Sequence, residues 1–383
     1  MPSVQATGIL RTDQHGGLFA GTKGMKLDAI LAPHSAYTHC AWWVVGSPHG
    51  NHAVSTVAAI RQRFPSSAVR VVALGRTPPT SSTVHSQLQG NELLLRMLVP
   101  DCDIIPVGDL LQAPLDTLCP PQLAIRQAAQ AASDSTEGPG GLGANGVVCS
   151  FDQQHCALPV VWEGGAQPAG VRGAAVLASW ALQGLQSMQQ GENSAPTNDH
   201  IAMDSGTGCT AAAVAVQLAL LGRQGRHTRP PSLHVVLVAG SVAGFKRMLG
   251  HAAGELAAHE DVHDLLRVHD CTAGAPTASS RPDAPAVDVF LHHPPSAKSF
   301  GAVNASVAKA AVRLSRSTGV LLDPVYTSKL LQTVVQLQQS STHDELCAPQ
   351  RWLVVHGGGA GGLLGHAAAL SKAIETLDAT FEG

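Results

Sequence analysis

Asp204-Ser205-Gly206-Thr207-Gly208-Cys209-Thr210 lies between an apolar strand candidate and the alanine-rich helix candidate Thr210 to Leu221. Small residues at such a junction let a ligand approach the backbone. Successive N–H groups at a helix start form a concave anion nest, and the hydroxyls of Ser205, Thr207 and Thr210 add donors. A phosphate monoester suits this turn. The closing Gly-Lys-Ser/Thr of a nucleotide-triphosphate loop is missing, so that ligand is not expected. Gly-Thr-Gly also occurs as a plain turn, and neighbouring segments have to decide between the two.

The same strand–turn–helix rhythm extends outward in both directions. β-branched runs at Trp42–Val45, Val69–Leu74, Ile104–Val107, His234–Ala239, Val287–Leu291 and Trp352–Val355 alternate with helical candidates. The helical candidates are Ala53–Gln62, Gly170–Gln189, Thr210–Leu221, Val303–Ser315 and Thr327–Gln339. This alternation predicts an α/β fold with mostly parallel sheets flanked by helices. Ser133–Gly146, Gln189–His200 and Cys271–Ala286 are rich in Gly, Ser, Pro and Thr and are expected as loops outside the core.

A chain of 383 residues predicts two lobes sharing one ligand site. Charged residues make up only 13% and hydrophobic ones 44%, which points to broad buried helices or a dimer interface. The net charge is -3, and no basic run interleaves with aromatics, so nucleic acid is not expected as a partner. The amino-terminal residues resemble neither a secretory signal nor a transit peptide, and no apolar run is long enough to span a membrane. The eight cysteines lack C-x-x-C spacing. Reduced thiols, a cytoplasmic location and no metal site are therefore expected.

Four further segments carry chemistry-bearing residues. Gly21-Thr22-Lys23-Gly24-Met25-Lys26-Leu27-Asp28 puts Lys23 and Lys26 at i and i+3, on one face of a helix, where both can meet one anion; a pair of surface lysines is the plain alternative. Gly46-Ser47-Pro48-His49-Gly50-Asn51-His52-Ala53 is another strand-to-helix turn, whose plain alternative is helix capping by Asn51 beside a structural His52. Leu321-Leu322-Asp323-Pro324-Val325-Tyr326-Thr327-Ser328-Lys329 holds one of only two tyrosines at the head of a helix. His356-Gly357-Gly358-Gly359-Ala360-Gly361-Gly362 follows an apolar strand and reads as a second anion loop or as a floor for a planar ring.

Together and in this order, the five segments resemble the fold type II pyridoxal-phosphate enzymes of the tryptophan synthase beta-like superfamily. Within that superfamily they resemble the family of 1-aminocyclopropane-1-carboxylate deaminase and D-cysteine desulfhydrase. The resemblance runs from about Ile9 to Leu364. It implies two open twisted, mostly parallel sheets flanked by helices, with pyridoxal 5'-phosphate between the lobes. A large cofactor-binding domain would comprise 1–51 and 156–383, and a small domain 52–155. Lys23 falls on the family's Schiff-base lysine, with Thr22 in place of an asparagine, and Lys26 would lie near the phosphate. Asn51 falls on the residue that contacts the cofactor 3'-oxygen. Ser205, Gly206, Thr207, Gly208 and Thr210 match the phosphate cup. Val161-Trp162-Glu163-Gly164-Gly165 with Gly170 and Gly173 looks like the glycine stretch leading into a helix. Tyr326 would face the substrate and Thr327 would approach the pyridine nitrogen.

Three departures stand out: Gly50 replaces a serine, Phe300-Gly301 replaces Tyr-Gly, and His356-Gly357 replaces a His-Thr pair. Two hydroxyls that assist proton transfer are thereby absent, which speaks against cyclopropane ring opening. The resemblance implies a homodimeric lyase or deaminase with Lys23 as Schiff-base amine and Cα base and Tyr326 as the second catalytic residue. A hydroxyl at the pyridine nitrogen favours β-elimination from a small amino acid, giving an α-keto acid and ammonia. Ring-opening deamination and a catalytically weak cofactor-binding paralogue are the alternatives.

Overall fold

A computed structural model of the chain describes residues 6–14, 21–34, 41–74, 90–100, 103–134, 160–189, 198–225, 230–257, 262–272, 286–341, 350–358 and 361–379. Two compact units emerge, Met1–Thr22 with Ala174–Gly383, and Lys23–Gly173. In chain order the strands are β1 Ala6–Arg11, β2 Trp42–Gly46, β3 Val69–Ala73, β4 Ile104–Pro106, β5 Val160–Val161, β6 Asn198–Ser205, β7 Ser232–Leu237, β8 Leu266–Asp270, β9 Val287–His292 and β10 Gln350–His356. The helices are α1 Thr22–Leu31, α2 Asn51–Arg63, α3 Gly90–Leu98, α4 Val107–Gln112, α5 Pro120–Asp134, α6 Pro168–Ser187, α7 Cys209–Arg223, α8 Val242–Ala257, α9 Ala305–Thr318, α10 Thr327–Ser341, α11 Gly361–Leu364 and α12 Ala367–Ala379.

The smaller unit carries a parallel sheet in the order β4-β3-β2-β5. Both faces of β2 are buried, which is why its sequence is a continuous apolar run rather than an alternation. Trp43, Val45, Val72, Leu110, Ile125 and Trp162 form the core on one side. The family resemblance assigns residues 1–51 and 156–383 to the large domain. Main-chain pairing of Trp42–Gly46 with Val69–Ala73, and of Trp43 and Val44 with Val160 and Val161, instead puts β2 and β5 in the smaller sheet. Pro106, without an N–H to continue a ladder, closes β4, and Val107 begins α4 instead of ending the strand.

The larger unit holds a six-stranded parallel sheet in the order β1-β10-β6-β7-β9-β8. β1 is an edge strand, paired with β10 from Ala6↔Arg351 to Arg11↔His356. One face is packed by Val320, Leu322, Leu330, Leu331 and Val334, which meet Ala202, Val236, Val238, Trp352 and Val354 of the strands. α7 is almost wholly buried and alanine-rich, and packs against α8 and the sheet. Val238 and Ala239, expected to continue β7, instead turn their N–H groups to the Ser205 carbonyl at 3.0 and 3.2 Å.

Across this sheet His200 of β6, His234 of β7 and His292 of β9 form a diagonal ladder. His200 Nδ1 lies 3.1 Å from His234 Nε2, and His234 Nδ1 3.1 Å from His292 Nε2. Trp352 stacks on His200, and Phe290 stacks on His234. Burial holds His234 well below its ordinary pKa and His292 down to about 4.

Of the three expected loops, residues 135–146, 190–197 and 273–285 lie outside the described residues. Ser133 and Asp134 close α5. Asn198–His200 belong to β6, because His200 takes a place in the ladder opposite Trp352 and Ser232. The Cys271 N–H donates to Leu291 O, carrying β8–β9 pairing past Asp270. No helix among the described residues is long and apolar enough to cross a membrane.

Candidate active site

In the larger unit, β6 and β10 end side by side, and ligand sites of open parallel sheets gather at such carboxyl ends. Ser205 closes β6 and is buried. Gly208, in left-handed backbone at φ 89°, reverses the chain into α7, whose first turn has no side-chain cap. The first turn of this 15-residue helix carries no acidic residue, so its amide end keeps its positive character.

Tyr326 stands beside this turn. A Cβ on Gly206 would lie 3.6 Å from Tyr326 Cε1 and 4.0 Å from its hydroxyl. The Asp323 carboxylate caps α10: Oδ1 accepts from the N–H groups of Val325 and Tyr326, and Oδ2 from the N–H and hydroxyl of Thr327 at 3.1 and 3.0 Å. The fully buried Thr327 hydroxyl also lies 2.9 Å from His356 Nδ1. With the hydroxyl proton given to Asp323, His356 carries its own proton on Nδ1 and donates it to Thr327. Burial lowers the His356 pKa, while Asp13 and Asp323 pull it back up.

Glycines line the next layer. A Cβ on Gly358 would meet Asp323 Oδ2 at 2.6 Å and Thr327 Oγ1 at 3.3 Å, and one on Gly357 would lie 3.6 Å from Asp204 Oδ1. Thr22 is fastened here, with both its N–H and its hydroxyl 3.3 Å from Gly357 O. The next residue in the chain is Lys23.

In the smaller unit, Lys26 is buried and its ammonium donates to Gly164 O at 2.5 Å, so the pair is not simply a set of surface lysines. Gly173 lets α6 approach α1, for a Cβ there would meet Met25 O at 2.5 Å. Glu163 Oε2 accepts from Ser47 N at 2.9 Å, in space left by Gly46, whose Cβ would lie 2.7 Å from that oxygen and 3.3 Å from His52 Cδ2. Burial drives the Glu163 carboxyl up to about 7, against the Ser47 N–H, Lys23 and Lys26, which favour its charged form. Burial first, then Lys26 and Lys23, push His52 down to about 3 and keep it neutral. His52 Nδ1 is 3.4 Å from Thr56 Oγ1, and the Trp162 backbone lies within reach of the ring and favours its charged form, against the burial that prevails.

Asn51 does not cap α2. Gly50 occupies the cap position, and Asn51, buried in the first turn, accepts from Asn91 Nδ2 at 2.7 Å. Asn91 Nδ2 also reaches His49 O at 3.0 Å. Among the expected site residues, the larger unit therefore gathers Ser205, Gly206, Thr207, Gly208, Thr210, Tyr326 and Thr327. The smaller unit holds Lys23, Lys26 and Asn51. Glu163, Asn91, Asp323 and His356 took no part in the sequence-based assignment. In the sequence Glu163 stands inside a glycine stretch, and a lone carboxylate among glycines and apolar residues is the signal it offers.

No protein-family model matches the chain, and no curated protein matches it. Solved structures do. An ACC deaminase homologue is similar with a TM-score of 0.56 and 19% identity, over 96% of this chain and 88% of that one. Diaminopropionate ammonia lyase of Escherichia coli is similar with a TM-score of 0.51 and 13% identity, over 97% of this chain and 82% of that one. The fold expected from the five segments, with two mostly parallel sheets flanked by helices, is the fold shared with these structures.

Proposed function

We propose that the chain is a pyridoxal-phosphate-dependent lyase or deaminase that eliminates a β substituent from a small, cysteine-like amino acid, releasing an α-keto acid and ammonia. One observation carries this reading: Thr22, the residue covalently before Lys23, is bound to the Gly357 carbonyl among Asp204, Asp323 and Thr327. The chain's residues fit the cofactor. Gly206 and Gly358 leave open the space that a Cβ would fill, and the uncapped start of α7 offers amides to a phosphate.

In this assignment the Ser205–Thr210 turn would hold the phosphate, Lys26 would supply a second positive charge, and Asn51, fixed by Asn91, would meet the 3'-oxygen. Lys23 would hold the cofactor and, as a free amine, would take the Cα proton; Tyr326 would attend the substrate side. When bound, pyridoxal phosphate would supply an electron sink for the substrate's α-carbon.

Elimination is preferred over ring opening on the side chains that are missing. Gly50 offers no hydroxyl, and Phe300 sets an oxygen-free ring 6.0 Å from the Tyr326 ring, edge to face. Borohydride reduction of the purified protein in pyridoxal phosphate, followed by peptide mass spectrometry, is expected to place the reduced cofactor on Lys23, and Lys23→Ala to abolish both the label and the violet absorbance. A label on another lysine sinks the reading. Keto-acid release from D-cysteine but not from 1-aminocyclopropane-1-carboxylate is the expected substrate pattern.

A further inference from the structure

Lys329 of α10 is a charged side chain that the proposed reaction does not use, and it is wholly buried. An enclosed ammonium costs free energy unless it is hydrogen-bonded, and an apolar residue of similar size would fill the same space without that cost. Packing alone therefore does not account for it. Its Nζ donates to Ala297 O at 2.6 Å and to Ser299 O at 3.3 Å, so both bonds reach one segment beyond β9. Burial lowers the Lys329 pKa, and the Asp323 charge opposes that shift.

The segment is held in a conformation it would not choose unaided. Ala297 has φ 52°, the only positive value at a non-glycine among the described residues, and such backbone persists where its surroundings impose it. Two residues on, Ser299 O also accepts from Ala302 N at 3.1 Å, closing a four-residue turn with Phe300 and Gly301 at its inner positions. Gly301, at φ 72°, supplies the positive angle that the third position of such a turn needs. The turn sets Phe300 outward: its ring is 45% exposed, yet lies edge to face with the Tyr326 ring at 6.0 Å. Tyr326 and Lys329 stand three residues apart, so the head of α10 carries both the latch and the ring that the latched turn faces.

We propose that Lys329 is a positioning residue: through the Ala297 and Ser299 carbonyls it fixes the turn that sets Phe300 against Tyr326, and so shapes the substrate side of the site. The inference rests on the proposed function in one respect, that Tyr326 attends the substrate.

Fluorotyrosine incorporated into the full-length chain gives one fluorine resonance for each of its two tyrosines, and Tyr326→Phe identifies that of Tyr326. Phe300→Ala is expected to shift this resonance by removing the facing ring. Lys329→Met, which keeps the volume and loses both bonds, is expected to shift it the same way, and no further in the Phe300→Ala background. A lysine that serves only the stability of the core leaves the resonance in place, and that outcome overturns the proposal. Equal shifts from Lys329→Met with and without the Phe300 ring also overturn it, as does a resonance unmoved by Phe300→Ala. Trypsin cleavage of the native protein after the exposed Lys298 is expected to quicken about tenfold in Lys329→Met and to stay unchanged in Phe300→Ala. Should Lys329→Met not fold, wild type decides: resistance after Lys298 supports the latch, and cleavage there as fast as in the urea-unfolded chain overturns it. With D-cysteine as substrate, both variants are expected to raise KM about fivefold and to leave kcat within about twofold. An unchanged KM in both overturns the role in shaping the substrate side. No keto acid from wild type, with the fluorine shifts as expected, removes the proposed reaction and leaves the latch standing.

Discussion

At the scale of single residues, side chains without special motifs set the chemistry of the two clusters. The family resemblance sets Thr327 at the pyridine nitrogen as a lone hydroxyl and draws from it a preference for β-elimination. The structure gives that hydroxyl a carboxylate, Asp323, at 3.0 Å and an imidazole at 2.9 Å, so the electronic argument built on an isolated hydroxyl no longer selects the reaction. Such partners lie 29 residues or more away in the chain, or hide in a helix cap, and no local pattern exposes them. Asn51 shows the same limit, since its partner Asn91 is 40 residues on. Gly358 gives a direct test of how tightly this layer is built. Gly358→Ala would force its methyl to 2.6 Å from Asp323 Oδ2, a clash costing about 1–3 kcal/mol. A lower melting temperature and faster loss of bound pyridoxal phosphate on dialysis are the expected results; an unchanged melting curve would show that the layer yields.

At the scale of elements, apolar runs with β-branched residues located six strands, and five helical candidates located five helices, to within a few residues. β1 and β8 escaped because Ala6–Arg11 and Leu266–Asp270 mix polar and apolar residues at the two sheet edges, where a strand has one neighbour and half the burial. The histidine ladder was equally invisible, for its members sit 34 and 58 residues apart and meet only through strand register. It has a consequence for acid stability. An imidazole held below its unfolded value of about 6.5 stays neutral in the folded unit while the unfolded chain takes up a proton. Its contribution is therefore whole above pH about 6.5 and drains as the pH falls towards about 4, where His292 titrates in place. His292→Leu is expected to cost about 1 kcal/mol at pH about 8, because His234 Nδ1 loses its partner, yet to flatten the loss of stability between pH about 6.5 and about 4.5. Urea unfolding followed by tryptophan fluorescence at both pH values checks this, and parallel slopes for wild type and variant would refute it.

At the scale of the whole molecule, the α/β class and the pair of parallel sheets were legible, but the division of the chain was not. The family resemblance sets the boundaries after Asn51 and before residue 156, whereas the compact units divide after Thr22 and after Gly173, inside α1 and α6. A surface supplied by only 13% charged residues leaves much apolar area to cover, and on that ground we expect a dimer in solution. Light scattering at micromolar concentration should give twice the chain mass; the mass of a single chain would retire that expectation. The pairing of β1 with β10 also sets an order of events during synthesis. β1 leaves the ribosome before the other described strands, yet its one sheet neighbour among the described residues spans Gln350–His356. Its main-chain groups must wait for that strand while the contiguous Lys23–Gly173 segment emerges, so a ribosome stalled before residue 350 would expose an unfinished sheet edge for a chaperone to guard.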